Sequence, residues 1–255
     1  MASSPSAYGA MRPGLEQAVP PENRHWFGFS IALQQAAAVA VFVCVVLWCA
    51  TEGGLSSFPS FYWHPILMVT SLVIINGETT TIYRLLRQPK RSTLKYTHFL
   101  LQALVWLLAI LGFYNVYQSI SGSHFTGPHQ WMGLTTIILF TLQLIHGFLW
   151  RMWPGAPSSI VNWYHHAHKF YGILILCSAS ATAMMGMAIS ASSTTGLGSF
   201  VENIFPVFVG CFAAVVTFIL MKQNFRRLDF PKFDNEGPEQ RALLEPRYVI
   251  DTDAH

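Results

Sequence analysis

Ten histidines are spread through this chain of 255 residues, and four of them recur at comparable places. His64, His98, His129 and His168 each stand near the start of a long apolar stretch. Charging an imidazole in apolar surroundings is costly, so each ring is expected to be neutral. A neutral imidazole can give one nitrogen to a metal while its other N–H keeps a hydrogen bond. Two such rings facing each other are what bis-histidine haem ligation requires. A lone histidine in such a place could equally be a packing residue bonded to a backbone carbonyl. The question is whether the four sort into pairs.

The elements that carry them are membrane helices by composition. The chain is 52% hydrophobic and 11% charged, where a soluble domain carries about 25% charged residues. Tyr96–Trp150 is a run of 55 residues without Lys, Arg, Asp or Glu; a bilayer span takes about 20, so this run holds two spans and a turn. Phe170–Val201 is a second uncharged run. Six segments read as transmembrane helices, near Phe27–Ala50, Phe61–Tyr83, Tyr96–Ser119, His129–Trp150, His168–Ile189 and Phe200–Met221. The expected fold is an all-α membrane protein with a membrane domain over residues 27–221. Polar segments flank it at 1–26, which has no signal-peptide h-region, and at 222–255. The four cysteines, Cys44, Cys49, Cys177 and Cys211, fall inside spans without ligand or disulfide spacing and read as packing residues.

The basic residues orient the helices. All fifteen Lys and Arg fall before the first segment, in or beside the loop between the second and third, flanking the loop between the fourth and fifth, or after the sixth. The three remaining loops have none. The positive-inside rule then places both termini in the cytosol. Helices two and four start on the outer side, and three and five on the cytosolic side. Topology therefore pairs His64 with His129 outside and His98 with His168 inside, each pair on alternate helices. Haems set a little inside each face of a core about 30 Å thick would have centres ~20 Å apart.

The residues around these histidines carry a resemblance. Trp63-His64-Pro65 with Tyr83-Arg84, Lys95-Tyr-Thr-His98, His129-Gln-Trp131-Met-Gly133, Gly147-Phe148, Pro154-Gly155-Ala156 and His168-Lys-Phe-Tyr-Gly172 follow one another in an order and spacing similar to the eukaryotic cytochrome b561 family. The match runs over roughly Trp63–Met187. The resemblance implies six helices, of which helices 2–5 form a four-helix bundle around two b-type haems. It places the iron ligands on His64 and His129 (non-cytosolic haem) and His98 and His168 (cytosolic haem). It implies electron transfer from cytosolic ascorbate to an acceptor beyond the membrane, with ferric iron and monodehydroascorbate as candidate acceptors, and so an ascorbate-dependent oxidoreductase with ferric reduction as one candidate activity. A homodimer is compatible with it, and no nucleic acid is implied. The chain departs from the family between the Pro-Gly-Ala turn and His168, where the family's arginines are missing, and in Thr126-Gly-Pro128 before His129.

Other residues have assignable places. Arg84 and Lys95 cap cytosolic helix ends, either as membrane anchors or as attractors of anionic ascorbate, and His165, with His166, could supply the donors that the missing arginines would. His124, in an outer loop, is a candidate contact for the acceptor. His146 lies 17 residues after His129 and so turns about 100° from its face, which suits packing better than ligation. Glu78 lies inside helix two, protonated or paired with Arg84 or Lys95, whereas Glu202 is expected in solvent near the outer surface. Glu239–Leu244 matches an acidic dileucine pattern, so endomembrane, lysosomal, vesicle and plasma membranes are all candidate locations. The rival reading is a haem-free proton-coupled or metal-ion transporter using the same membrane histidines.

Overall fold

The computed structural model of the chain describes residues 23–52, 61–87, 89–153, 157–190 and 196–226. The Pro154-Gly155-Ala156 turn, Glu239–Leu244 and His255 lie outside them. Six helices are long and apolar enough to cross a membrane, and no strand occurs among the described residues. Lipid offers no partner for backbone N–H or C=O groups, so an uncharged chain at membrane depth satisfies them within its own helix. The helices are α1 (Arg24–Glu52), α2 (Trp63–Leu85), α3 (Arg91–Ser119), α4 (Pro128–Met152), α5 (Ser158–Ser190) and α6 (Leu197–Met221). The chain is a multi-pass membrane protein, with large apolar side chains such as Leu100, Leu107, Ile138, Leu142, Val207 and Phe218 exposed on its flanks.

Two helices begin well before their hydropathy does. α5 starts at Ser158 rather than near His168, and α3 at Arg91 rather than Tyr96. Polar residues such as His165 and His166 dilute the apolar signal without interrupting the hydrogen-bond ladder. His168 and His98 consequently stand two to three turns inside their helices, while His64 and His129 do occupy first turns. α2 changes winding: Val69–Ile75 is π-helical between two α-helical pieces. α4 opens on Pro128, whose fixed φ suits a first helical position, and the Gly127 N–H is taken by the Gln130 side chain at 2.6 Å.

The core lies between the helices. Val41, Val45 and Cys49 of α1 pack along Val209, Phe212 and Val216 of α6, all nearly inaccessible. Polar side chains tie the neighbouring helices. Gln34 Nε2 donates to Thr81 Oγ1 (α1 to α2, 3.1 Å), Gln102 Nε2 to Asn76 Oδ1 (α3 to α2, 3.1 Å) and Trp106 Nε1 to Thr141 Oγ1 (α3 to α4, 3.1 Å). Thr136 and Ser178 share a 2.6 Å bond (α4 to α5). Each such bond is worth about 0.6 kcal/mol inside a membrane; several together fix which helices are neighbours.

Glu202 is not in solvent. It is 4% exposed, and its Oε1 accepts the Trp48 Nε1–H at 2.9 Å. Starting α6 at Leu197 turns Glu202 toward α1, on the same face as Val201 and Phe205. Glu78 likewise pairs with neither Arg84 nor Lys95 in a direct bond: its Oε2 accepts Gln35 Nε2 at 2.8 Å. The cysteines form no disulfide.

Close approach of α2 to α6 depends on Gly77, where a Cβ would lie 2.5 Å from Phe212 Cε1. A side chain here overpacks the core at a cost of about 1–3 kcal/mol. Gly77→Val is expected to lower the thermal unfolding midpoint in detergent, followed by circular dichroism. Adding Phe212→Leu should recover part of the loss.

Candidate functional site

The histidines converge at two levels. The His64 and His129 ring centres are 6.2 Å apart with planes at 85°, and those of His98 and His168 are 6.1 Å apart at 69°. The two levels are offset along the same four helices. His64 lies beside Gly112 and His98 beside Thr79; fourteen residues of helix from His98 to Gly112 rise ~21 Å.

The second nitrogen of each ring is held by a neighbour. His64 Nδ1 (α2) bonds the Gly112 carbonyl of α3 at 3.0 Å, and His98 Nδ1 (α3) returns the bond to the Thr79 carbonyl of α2 at 3.1 Å. His129 Nδ1 (α4) bonds the Thr182 carbonyl of α5 at 2.9 Å. A carbonyl only accepts, so these three rings carry their proton on Nδ1 and keep an unprotonated Nε2. His168 differs: its Nδ1 lies 3.0 Å from the Tyr164 hydroxyl, which itself reaches the Gln143 carbonyl of α4 at 3.2 Å.

Space around the upper pair is prepared. His64 and His129 open on a cavity of about 270 Å³ with largely apolar walls, among them Met68, Leu72, Val116, Leu134 and Ala183. A Cβ on Gly186 would stand 2.7 Å from His129 Cε1, so α5 leaves room for the imidazole only because residue 186 has no side chain. Gly112 does the same for α2, since a Cβ there would meet Leu67 at 3.1 Å. Two imidazoles on opposite sides of one metal ion, each bonded at about 2.0–2.1 Å, have ring centres roughly 6.3 Å apart. Both pairs stand close to that separation.

The profile of the eukaryotic cytochrome b561 family matches residues 63–194. The chain belongs to that family. Among its relatives is the transmembrane ascorbate-dependent reductase CYB561 of Ovis aries, 27% identical over 212 residues, which are 78% of this chain and 84% of the relative. The protein of the same name from Mus musculus is 26% identical over 239 residues, 89% and 93% of the two chains. The ascorbate-specific transmembrane electron transporter 1 of Zea mays is 31% identical over 160 residues, 59% and 68%. The family implies haem b, and the paired neutral imidazoles, the apolar slot and the missing Cβ at Gly186 suit that group.

The remaining candidate residues are placed as follows. His124 is brought to the upper pair: it lines the same cavity and stacks on Tyr117, with ring centres 4.5 Å apart and planes at 14°. Arg84 is engaged at the opposite end, donating to the Lys222 carbonyl at 2.6 Å and to the Leu220 carbonyl, acceptors at the C-terminal end of α6. Lys95 Nζ donates to the Arg151 carbonyl at 3.0 Å. Arg84, Arg151 and Arg226 each lie near enough to Lys169 to repel it, making this the basic end of the molecule. His165 is half-buried beside His166. His146 faces Tyr164 rather than either pair, at 6.4 Å between rings. Tyr164 and Gly186 escaped the sequence reading. Tyr164 could have been found from its i, i+4 relation to His168, which puts both on one helical face; Gly186 has no local signal.

Filling residue 186 is expected to displace His129. Purified Gly186→Val should show a lower ratio of haem to protein absorbance than the unaltered chain. Gly210→Ala, whose Cβ would meet only Met184 Cε at 3.9 Å, should leave the ratio unchanged.

Proposed function

We propose that the chain moves electrons across the membrane from cytosolic ascorbate at its basic end to an acceptor at the other end. In this reading α2–α5 form a four-helix bundle around two b haems, one held by His98 and His168 and one by His64 and His129. The observation that carries it is the pair of imidazole pairs, each spaced for one metal and stacked at two levels of the same helices. Bound there, haem would supply one-electron reduction and oxidation at each level. The chain's own residues fix the rings and keep Nε2 free. The relatives' printed names, ascorbate-dependent reductase and ascorbate-specific electron transporter, support the donor. A bare transition-metal ion in transit takes three or four protein ligands, and two histidines per level fall short of that.

The ascorbate site is assigned to the basic end. Arg84, Lys95 and His165 stay its proposed contacts, and Lys169 and Arg226 add charge beside Arg84. Because Arg84 also caps α6, its loss would mix packing with electrostatics, and Lys95 and Lys169 are the cleaner test. At a few ångströms and an effective dielectric near 20, one unit charge contributes on the order of a few kcal/mol to a neighbouring anion, less where water screens it. Lys95→Gln with Lys169→Gln should slow reduction by ascorbate several-fold, more at low salt than at high, and leave dithionite reduction intact. Unchanged ascorbate kinetics would remove the site from this end.

The ligand assignment has its own test. His98→Ala or His168→Ala should remove one haem per chain and leave the other, and His64→Ala or His129→Ala the reverse. If His146→Ala empties a site while His168→Ala does not, the assignment is wrong.

At the other end no Lys or Arg is available, while His124 and Glu52 are. An anionic acceptor gains no electrostatic help there, and a cation does. Ferric iron is therefore the favoured acceptor over monodehydroascorbate, with His124 as a transient contact. In vesicles holding pre-reduced protein, oxidation by external ferric iron should be faster than by monodehydroascorbate, and His124→Ala should slow only the former. Faster oxidation by monodehydroascorbate would contradict this.

A further inference from the structure

Three of the four paired histidines give Nδ1 directly to a backbone carbonyl on the neighbouring helix. His64 and His98 exchange such bonds between α2 and α3, and His129 makes the same bond from α4 to α5. By that pattern His168 of α5 should meet a carbonyl of α4. The carbonyl is there, on Gln143, but the Tyr164 hydroxyl is interposed, 3.0 Å from His168 Nδ1 and 3.2 Å from Gln143 O. Tyr164 is 6% exposed, so water is no ready substitute.

A tyrosine hydroxyl has one proton. If it goes to the Gln143 carbonyl, the oxygen must accept from His168, which puts the imidazole proton on Nδ1 and frees Nε2. If it went to His168 instead, the ring would carry its proton on Nε2 and could not bind a metal through it. The Gln143 carbonyl therefore decides the tautomer, through Tyr164. The Gln143 side chain steadies the arrangement from the other direction, Nε2 donating to the His168 carbonyl at 3.1 Å. A phenolic oxygen shares its lone pair with the ring and accepts more weakly than a peptide carbonyl. Its own donation to Gln143 polarises it and restores part of the difference.

The partner on the far nitrogen sets how strongly an imidazole donates to a metal. We propose that Tyr164 is a positioning residue that sets the reduction potential of the haem held by His98 and His168, through a hydroxyl relay from His168 Nδ1 to the Gln143 carbonyl. The proposal rests on the ligand assignment above. Removing the hydroxyl leaves the Nδ1–H without its acceptor, weakens donation from His168 and favours the reduced state. The relay acts on one level of the molecule only, because the other pair is held by carbonyls that no side-chain substitution removes.

The test is spectroelectrochemical titration of purified holoprotein in the His129→Ala background, which isolates the haem in question. Tyr164→Phe is expected to raise that midpoint by about a tenfold change in the reduction equilibrium, ~59 mV for one electron. In the otherwise unaltered chain it should raise one midpoint and leave the second in place. An unmoved midpoint, or movement of the one that His129→Ala removes, would overturn the proposal. If Tyr164→Phe fails to fold or to hold haem, 3-fluorotyrosine at position 164 keeps the shape while drawing electron density from the oxygen. It should give a smaller rise in the same direction, and no rise would overturn the proposal equally. Should His129→Ala retain both haems, the ligand assignment fails instead, whatever Tyr164 does.

Discussion

A neutral imidazole inside a membrane can bind a metal through one nitrogen only if its other N–H has an acceptor. Leaving a buried N–H unmet costs about 1–3 kcal/mol, and lipid offers no water to meet it. The helices of this chain answer that requirement with one another's backbone. His64 and His98 bond across α2 and α3 in both directions, and His129 bonds across α4 to α5. A main-chain carbonyl already serving its own helix has a second lone pair to offer, provided the two backbones come close.

Closeness explains features that would otherwise look incidental. Gly112 lets α2 approach the carbonyl that receives His64, and Gly186 clears the volume that the His129 ring occupies. Gly77 lets α6 support α2 from behind. The side-chain bonds between helices, from Gln34–Thr81 to Thr136–Ser178, hold the spacing in a solvent where apolar faces gain little by meeting each other. α1 and α6 carry none of the paired histidines. They back α2, and they bury the Trp48–Glu202 bond near the cavity that His64 and His129 line.

The six helices were legible in the sequence because lipid imposes a coarse and continuous demand: twenty or so uncharged residues with no exposed backbone. The grouping of Lys and Arg in or beside alternate connections suggested an order of faces without reference to any contact. What sequence concealed lies where hydrogen bonding and hydropathy part company. The polar start of α5, with His165 and His166, looks like loop but continues the helix for a decade of residues before His168. Glu202 looks solvated because it stands near a helix start, yet the rotation of α6 turns it inward. The partners of the histidine rings were hidden most completely. Gly112, Thr79 and Thr182 act through carbonyls, which every residue has, so no residue type announces them. Arg84 illustrates the converse: its charge suggested a ligand contact, and its geometry adds a second duty at the end of α6 that no sequence signal showed.

The proposed function requires each chain to hold two haems, one for each histidine pair. It is tested most directly by the stoichiometry of the purified, unaltered protein, with haem measured as the pyridine haemochrome and protein by amino-acid analysis. Two b-type haems per chain are expected. A value of one would leave a histidine pair without its assigned role, and a chain free of haem, with no α-band on reduction, would contradict the account.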